Sequence, residues 1–227
     1  MSGNIKPRVA RAARILEKEF GVPRRSRSRD LTGLLVLTIL SQNTNDINRD
    51  RAYDELRRQF PRWENVQEAQ PAKVEKAIRV GGLAKQKAKN IIGFLKWLKA
   101  RRGGLDLGFV RKMSDDAVYD TLCRLNGIGV KTASILLAFG LGRDVFPVDT
   151  HVNRISTRLG FVPPKSPPER THRLMAELVP KGKAYSFHLN LIKLGRKICL
   201  ARKPKCRECP LKRMCPHARS AKAGRMD

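Results

Sequence analysis

One short stretch, Leu125–Ala133 (Leu-Asn-Gly-Ile-Gly-Val-Lys-Thr-Ala), joins two segments that both have the periodicity of an amphipathic helix. Gly127 and Gly129 flank a single apolar residue, and glycine permits a tight turn without interference from a Cβ atom. We expect Ile128 to anchor the turn in the core and the next helix to begin near Val130. The stretch therefore predicts two helices joined by a glycine hairpin.

The charge of the chain indicates what such a hairpin could bind. Lys and Arg total 48 against 20 Asp and Glu, giving a net charge of +28. That excess predicts a polyanionic partner, most commonly a nucleic acid, because free amide groups at a helix start can hold a phosphate oxygen. A Gly-x-Gly turn alone often only connects helices, and an anionic membrane surface is the alternative partner. Without a separate basic amphipathic anchor, we favour a hairpin contact with DNA.

Helical periodicity recurs along the chain, and sustained strand-type alternation does not occur. At 227 residues with 41% hydrophobic residues, the chain can bury the core of one large domain or two small ones. The sequence therefore predicts an all-α fold of about ten helices. The clearest signals are a stripe from Ala88 to Leu98 closed by Gly103-Gly104, a cap at Ser114-Asp115-Asp116, a stripe from Val152 to Leu159 closed by Gly160, and a capping box at Ser166–Glu169.

Four cysteines lie close together near the C-terminus, and only one other, Cys123, occurs in the chain. This distribution argues against a disulfide framework and indicates a soft-metal site. Zinc ribbons usually combine two separated Cys-x2-Cys pairs, and only one such pair occurs here, so we favour an iron–sulfur cubane over four-cysteine zinc. We expect Cys123 to be buried beside an apolar stripe. The four candidate ligands, with six, two and five intervening residues, are Cys199, Cys206, Cys209 and Cys215.

The sequence also bears on the location of the protein. The first eleven residues contain no apolar run of the signal-peptide type, and Leu34–Leu40 is too short to span a bilayer. Free thiols suit a reducing interior. We therefore expect an intracellular protein, cytoplasmic or at the nucleoid, or nuclear or mitochondrial in a eukaryote.

Two residues are candidates for chemistry. Lys131 lies in the first turn of the helix after the hairpin, where it could bind phosphate, face solvent or act as an amine nucleophile. The positive end of the helix disfavours the ammonium form. Asp149, in Phe146–His151, could cap a helix, or it could move protons and stabilise a developing cation. Spacing alone leaves both interpretations open for each residue.

Taken together, these motifs resemble the endonuclease III branch of the helix-hairpin-helix (HhH-GPD) DNA glycosylases. The resemblance is carried by Leu125–Ala133, in which Asn126 replaces the family's proline, by Val148–His151, and by the four cysteines. It extends from about residue 15 to residue 215. Further matching segments are Leu40–Asp46, Gly82-Leu83, Lys87-Ala88 and Gly195-Arg196.

The resemblance implies a two-lobed fold with DNA in the cleft between the lobes. A six-helix barrel would span residues 24–142 and would contain the helix-hairpin-helix at about 115–141. A discontinuous [4Fe–4S] cluster domain would combine residues 1–23 with 143–227, and residues 217–227 would form a frayed basic tail. We expect the protein to act as a monomer on double-stranded DNA that contains a damaged base or an abasic site, and not on membranes.

The resemblance also implies roles for individual residues. Lys131 matches the nucleophile, Asp149 the catalytic aspartate, and the four cysteines the cluster ligands. Either Gln42 or Asn43 would fill the position that an extruded base vacates, with Leu83 as a second wedge. The remaining DNA contacts are expected from Gly127, Ile128, Gly129, Lys203 and Lys205.

The activity that the resemblance implies is that of a bifunctional DNA glycosylase and AP lyase. It would remove oxidised pyrimidines through a lysine Schiff base and would nick the strand 3′ to the abasic site by β-elimination. The presence of both Lys131 and Asp149 favours this over a monofunctional mismatch or adenine glycosylase and over a non-catalytic DNA-binding scaffold. Ala84 stands where relatives often have an aromatic residue, which leaves the base preference open.

Overall fold

The chain is built from α-helices. The computed structural model describes residues 5–25 and 28–223, the last three of them by backbone alone, and contains no strand in those ranges. This confirms the predicted all-α fold. No helix in the described residues is long and apolar enough to span a membrane. The α-helices are α1 (Ile5–Phe20), α2 (Leu31–Leu40), α3 (Asp46–Gln59), α4 (Trp63–Glu68), α5 (Pro71–Ala77), α6 (Ala84–Arg102), α7 (Asp115–Leu122), α8 (Val130–Ile135), α9 (Thr150–Arg158), α10 (Pro168–Leu178), α11 (Ala184–Lys197) and α12 (Pro216–Ala223).

The chain divides into two compact units. One comprises residues 27–142, and the other combines residues 1–26 with 143–227. The boundaries expected from the resemblance lie at residues 24 and 142. That the units are a six-helix barrel and a cluster domain stays a prediction.

The unit of residues 27–142 is built around α2. Eight of the ten residues of α2 are buried, as expected for a helix that is apolar on all sides. Asp30 caps the helix by accepting a hydrogen bond from the Gly33 amide at 2.7 Å. α3, α6, α8 and the π-helical turn Leu136–Gly140 pack around it. The loop that follows α2 therefore begins at a buried helix that is packed on several sides.

In the other unit, the N-terminal helix packs against the C-terminal half of the chain. α1 lies on α11, and α9 lies on the same helix. The core includes Phe146 and Phe187, whose rings stack with centroids 5.7 Å apart. Cys215 is buried in this core, so one of the four clustered cysteines belongs to the main apolar interior of the unit.

Several predicted helix ends are confirmed. The Ser114 side chain accepts from the Ala117 amide at 3.2 Å and caps α7. Gly103 ends α6 with a φ of 72°, which is the left-handed conformation that glycine adopts at low cost. The Asp149 side chain caps α9.

Two predictions are wrong. Ser166 is not the cap of α10: Pro167 takes that position, and the Ser166 hydroxyl donates back to Pro163 O at 2.8 Å. Cys123 is exposed, because α7 ends at Leu122 and leaves Cys123 beyond the apolar stripe as the C-cap. The first part of the expected tail lies in α12, which continues to Ala223, and residues 224–227 lie outside the described part of the chain. That the tail is frayed stays a prediction.

Candidate functional site: a glycine hairpin, a capped aspartate and four cysteines

The predicted hairpin joins α7 to α8. The Leu125 amide bonds Leu122 O at 3.0 Å, and the Ile128 amide bonds Leu125 O at 3.1 Å. The Ile128 side chain is only 2% exposed, so the expected anchor of the turn is confirmed. Gly129 is the N-cap of α8 and is exposed.

The hairpin rests on α6 through Gly127. This glycine has a φ of 79°, and a Cβ atom built on it would lie 2.0 Å from Asn90 Nδ2. Asn90 is itself held by Gln86, whose Nε2 donates to Asn90 Oδ1 at 2.8 Å. The turn therefore needs glycine for two reasons: its left-handed backbone and its close approach to α6.

The two adjacent amide side chains after α2 differ in their surroundings. Gln42 Nε2 donates to Gly127 O at 2.8 Å, which ties this loop to the hairpin. Asn43 is exposed and has a φ of 51°. Among the described residues, the Asn43 side chain has no observed hydrogen bond to the protein, in contrast to that of Gln42.

Leu83, the other expected wedge, precedes α6. Its side chain is 58% exposed and its φ is 49°. An exposed leucine in the left-handed region is uncommon, because the Cβ atom crowds the following carbonyl. Such a conformation is found where function or tight local packing requires it.

Lys131 is the second residue of α8 and is exposed. A side-chain contact holds α8 against α7. Ser134 Oγ donates to Val130 O at 2.7 Å and lies 2.8 Å from the Tyr119 hydroxyl of α7. Burial raises the pKa of Tyr119 to about 12, against a smaller opposing effect of the Ser134 hydrogen bond. Tyr119 therefore stays a neutral brace between the two helices of the hairpin.

Asp149 begins α9 in the other unit. Its Oδ1 accepts from the Val152 amide at 2.7 Å, while Oδ2 takes no part in this cap. The side chain is half-buried. The capping role of Asp149 is thus observed, and its catalytic role stays a prediction.

Two histidines fix the chain just before Asp149, and the sequence did not suggest this. His188 is 1% exposed, and its Nδ1 donates to Pro147 O at 2.9 Å. His172 Nδ1 lies 3.1 Å from Phe146 O. Burial lowers the pKa of His172, against the opposing effect of this hydrogen bond. His188 therefore has a structural role.

The four cysteines line one edge of the same core. Cys215 is buried, and the other three are half-buried against the apolar cluster. Burial raises the pKa of Cys209 to about 11, and the nearby thiols of Cys199, Cys215 and Cys206 add to it. In the described residues, no three His, Cys, Asp or Glu side chains are arranged to hold a single metal ion.

Two arginines of α9 hold the first cysteine. Arg158 Nη1 donates to Cys199 Sγ at 3.3 Å and to Leu200 O at 2.7 Å. Arg154 Nη2 donates to Cys199 O at 2.9 Å. An N–H donor on sulfur, apolar surroundings and four soft ligands suit a thiolate-bound iron–sulfur cluster, whose stability and potential depend on such contacts.

The loop between the first two cysteines carries the predicted basic residues. Lys203 and Lys205 are both exposed, and Lys203 has a φ of 46°. The Lys205 amide bonds Ile198 O at 2.9 Å and closes the loop. The loop therefore presents its lysines to solvent from a fixed backbone.

The chain was compared with known protein families and sequences. Residues 36–181 match the model of the HhH-GPD superfamily base excision DNA repair protein. Endonuclease III of Thermotoga maritima is 32% identical over 91% of this chain and 92% of its own length. A protein of Arabidopsis thaliana provisionally named a DNA glycosylase is 37% identical over 78% of this chain, which spans 64% of that protein.

A solved structure matches the fold as well. The trapped covalent intermediate of endonuclease III with DNA has a TM-score of 0.82 and 25% identity, covering 96% of this chain and 98% of that one. Sequence and structure thus agree over nearly the same residues. The chain belongs to the HhH-GPD superfamily of base excision DNA repair proteins and, within it, to the endonuclease III family of DNA glycosylases.

Proposed function

We propose that this protein is a bifunctional DNA glycosylase and AP lyase that removes oxidised pyrimidines from duplex DNA. The observation that carries the proposal is Lys131, an exposed amine in the first turn of α8, directly after the hairpin. Membership of the endonuclease III family supports the same activity, because a lysine nucleophile at this position makes the enzyme a lyase. Asp149 supplies the acidic partner from the other unit.

The proposed reaction begins with phosphate contacts made by the basic surface and the hairpin. The damaged base is rotated out of the stack, at a lower cost than for an intact pair. Unprotonated Lys131 Nζ attacks the sugar C1′, the bond to the base breaks, and the base leaves with a proton. The sugar ring then opens to give a protonated Schiff base. Loss of a C2′ proton breaks the C3′–O bond and nicks the strand, with Asp149 moving protons and stabilising the cation.

We further propose that Asn43, rather than Gln42, fills the vacated base position. Gln42 already uses its amide in a hydrogen bond to Gly127 O. Releasing it would leave a hairpin carbonyl without that donor. Asn43 is exposed on the adjacent residue, and its short amide can extend into a duplex together with Leu83.

We propose that the four cysteines hold a [4Fe–4S] cluster. The ligands would be Cys199, Cys206, Cys209 and Cys215. When bound, the cluster supplies four metal–thiolate bonds that cross-link the C-terminal segment. Arg158 and Arg154 fix the first ligand, and the loop between the first two ligands presents Lys203 and Lys205 to the DNA backbone.

The decisive test is borohydride trapping on duplex DNA. We expect a covalent adduct with abasic DNA and with a duplex that carries thymine glycol. Lys131→Gln should abolish the adduct, because the Schiff base needs a primary amine. Lys96→Gln, at an exposed lysine on α6, is the matched control and should trap as the parent does.

The alternatives give different results in the same assay. Base release without an adduct would mean a monofunctional glycosylase. DNA binding with neither base release nor an adduct would mean a non-catalytic scaffold. Removal of a mismatched normal base in preference to thymine glycol would contradict the proposed substrate class while leaving the lyase intact.

The cofactor has its own test, which does not require activity. The purified protein should be yellow-brown, with broad absorption near ~400 nm from thiolate-to-iron charge transfer. Cys209→Ser should weaken the absorption and lower the iron content, whereas Cys123→Ser, at the exposed fifth cysteine, should leave both unchanged. A colourless protein with stoichiometric zinc would contradict the cluster.

A further inference from the structure

Lys87 is a buried lysine that the proposed chemistry does not use. It lies in α6, is 2% exposed and is among the largest fully buried side chains. Its Nζ donates to Leu40 O at 2.7 Å and to Gly81 O at 2.8 Å. Neither partner is a carboxylate. Burial lowers the pKa of Lys87, so the chain retains a costly group here where an apolar side chain would fit the interior more easily.

The two carbonyls that bind Lys87 belong to two different loops. Leu40 is the last residue of α2, and the loop that carries Asn43 follows it directly. A cation is favourable at this place because the C-terminal end of a helix is partially negative. Gly81 ends a short 3-10 turn, and Leu83 follows two residues later. A single ammonium group therefore joins the two segments from which the proposed wedges project.

Both proposed wedge residues have a left-handed backbone conformation. Asn43 and Leu83 have φ values of 51° and 49°, although neither is glycine. This conformation is uncommon for a non-glycine residue, more so for leucine than for asparagine, and it persists where the surroundings fix it. Lys87 holds the chain three residues before Asn43 and two residues before Leu83, close enough to fix both.

We propose that Lys87 is a positioning residue that holds the Asn43 and Leu83 loops at a set spacing, so that both side chains enter the duplex together behind an extruded base. This inference rests on the proposed function. A mutation far from the reacting atoms that shifts a positioning group by about 1 Å can lower the rate by on the order of 100-fold. A lysine with a fixed two-carbonyl contact can prevent such a shift.

The test compares a step that needs the wedges with one that does not. A duplex with thymine glycol requires base extrusion, whereas a single-stranded abasic oligonucleotide has no stack to open. We expect Lys87→Met to lower kcat/KM for thymine glycol release by about tenfold or more. For Lys87→Met, borohydride trapping on the single-stranded oligonucleotide should stay within about twofold of the parent. The control variant Lys96→Met should stay within about twofold of the parent in both assays.

A second measurement reports wedge insertion without catalysis. A 2-aminopurine placed beside an abasic site in a duplex becomes brighter when its neighbouring stack is opened. The parent should raise this fluorescence on binding, and Lys87→Met should raise it less at saturating protein. If the parent shows neither base release nor an adduct, the proposed function fails, while this signal still decides the role of Lys87.

A double-mutant cycle separates positioning from general stability. In the Asn43→Ala, Leu83→Ala background, Lys87→Met should lower kcat/KM for thymine glycol release by a further factor of less than about two, because the side chains that Lys87 positions are absent. The proposal would be overturned if Lys87→Met released thymine glycol with the kcat/KM of the parent. The proposal would also be overturned if Lys87→Met lowered kcat/KM by the full factor in the Asn43→Ala, Leu83→Ala background. The same holds if Lys87→Met lowered trapping on the single-stranded oligonucleotide by the factor seen for thymine glycol release.

Discussion

At the scale of the residue, two glycines two positions apart have different functions. Gly127 has a positive φ and touches Asn90, whereas a Cβ atom on Gly129 would meet nothing within 4 Å. The glycine pattern of the hairpin was visible in the sequence. The packing of the hairpin on α6 was not visible, because the contact partner, Asn90, lies far away along the chain and has no sequence signature. The same holds for Gln42 and Lys87, whose partners are backbone carbonyls.

This difference predicts unequal effects of alanine at the two glycines. Gly127→Ala should lower the free energy of unfolding by about 1 to 3 kcal/mol, because it adds backbone strain and a clash. Gly129→Ala should cost under about 1 kcal/mol, since only a weak N-cap is lost. Urea unfolding of both variants measures the difference. Equal stabilities would contradict the tight packing of Gly127 on Asn90.

At the scale of the element, α9 connects the two proposed chemical groups of its unit. Asp149 caps its first turn, and Arg158, its last residue, bonds to Cys199. The cap and the helix were predictable from Asp149 and the stripe that follows it. The arginine contacts were not, because they depend on how the cysteine loop folds back. The wrong capping box at Ser166 has a simple cause: proline at the next position displaced the helix start by one residue.

Substitution of Asp149 can separate capping from chemistry. Asparagine caps helices about as well as aspartate, so Asp149→Asn should keep the stability within about 0.5 kcal/mol, whereas Asp149→Ala should lose about 1 kcal/mol. If the carboxylate acts in catalysis, both variants should lose base release to a similar, large extent. Thermal unfolding and single-turnover kinetics measure the two effects. Full activity of Asp149→Asn would leave the residue with a capping role only.

At the scale of the whole molecule, the net charge of +28 predicted a polyanionic partner before any fold was known. The fold itself was predictable because the motifs occur in a familiar order over most of the chain. Lys131 and Asp149 lie in different units, and no local pattern can state how two units combine. Their joint action therefore rests on the resemblance and on experiment.

The charge predicts a steep dependence of DNA affinity on salt. Affinity for undamaged duplex should fall linearly in a plot of log K against log salt, by about 0.9 per phosphate neutralised. Lys203→Gln with Lys205→Gln should reduce the slope by about 2 if both lysines contact phosphate. Lys96→Gln with Lys99→Gln, an equal charge loss on exposed positions of α6, should change it less. Identical slopes for the two pairs would contradict a DNA contact by the cysteine loop.

The packing of α1 has a consequence for how the protein is made. α1 leaves the ribosome before the other described helices, yet Asn190 Nδ2 donates to Leu16 O across 174 positions of sequence, and Arg8 Nη2 donates to Leu159 O at 2.7 Å. At roughly 5 to 20 residues per second, α1 waits on the order of 10 s or more for these partners. During translation its apolar face has to be shielded by other means, whereas residues 27–142 can assemble from consecutive chain as they emerge.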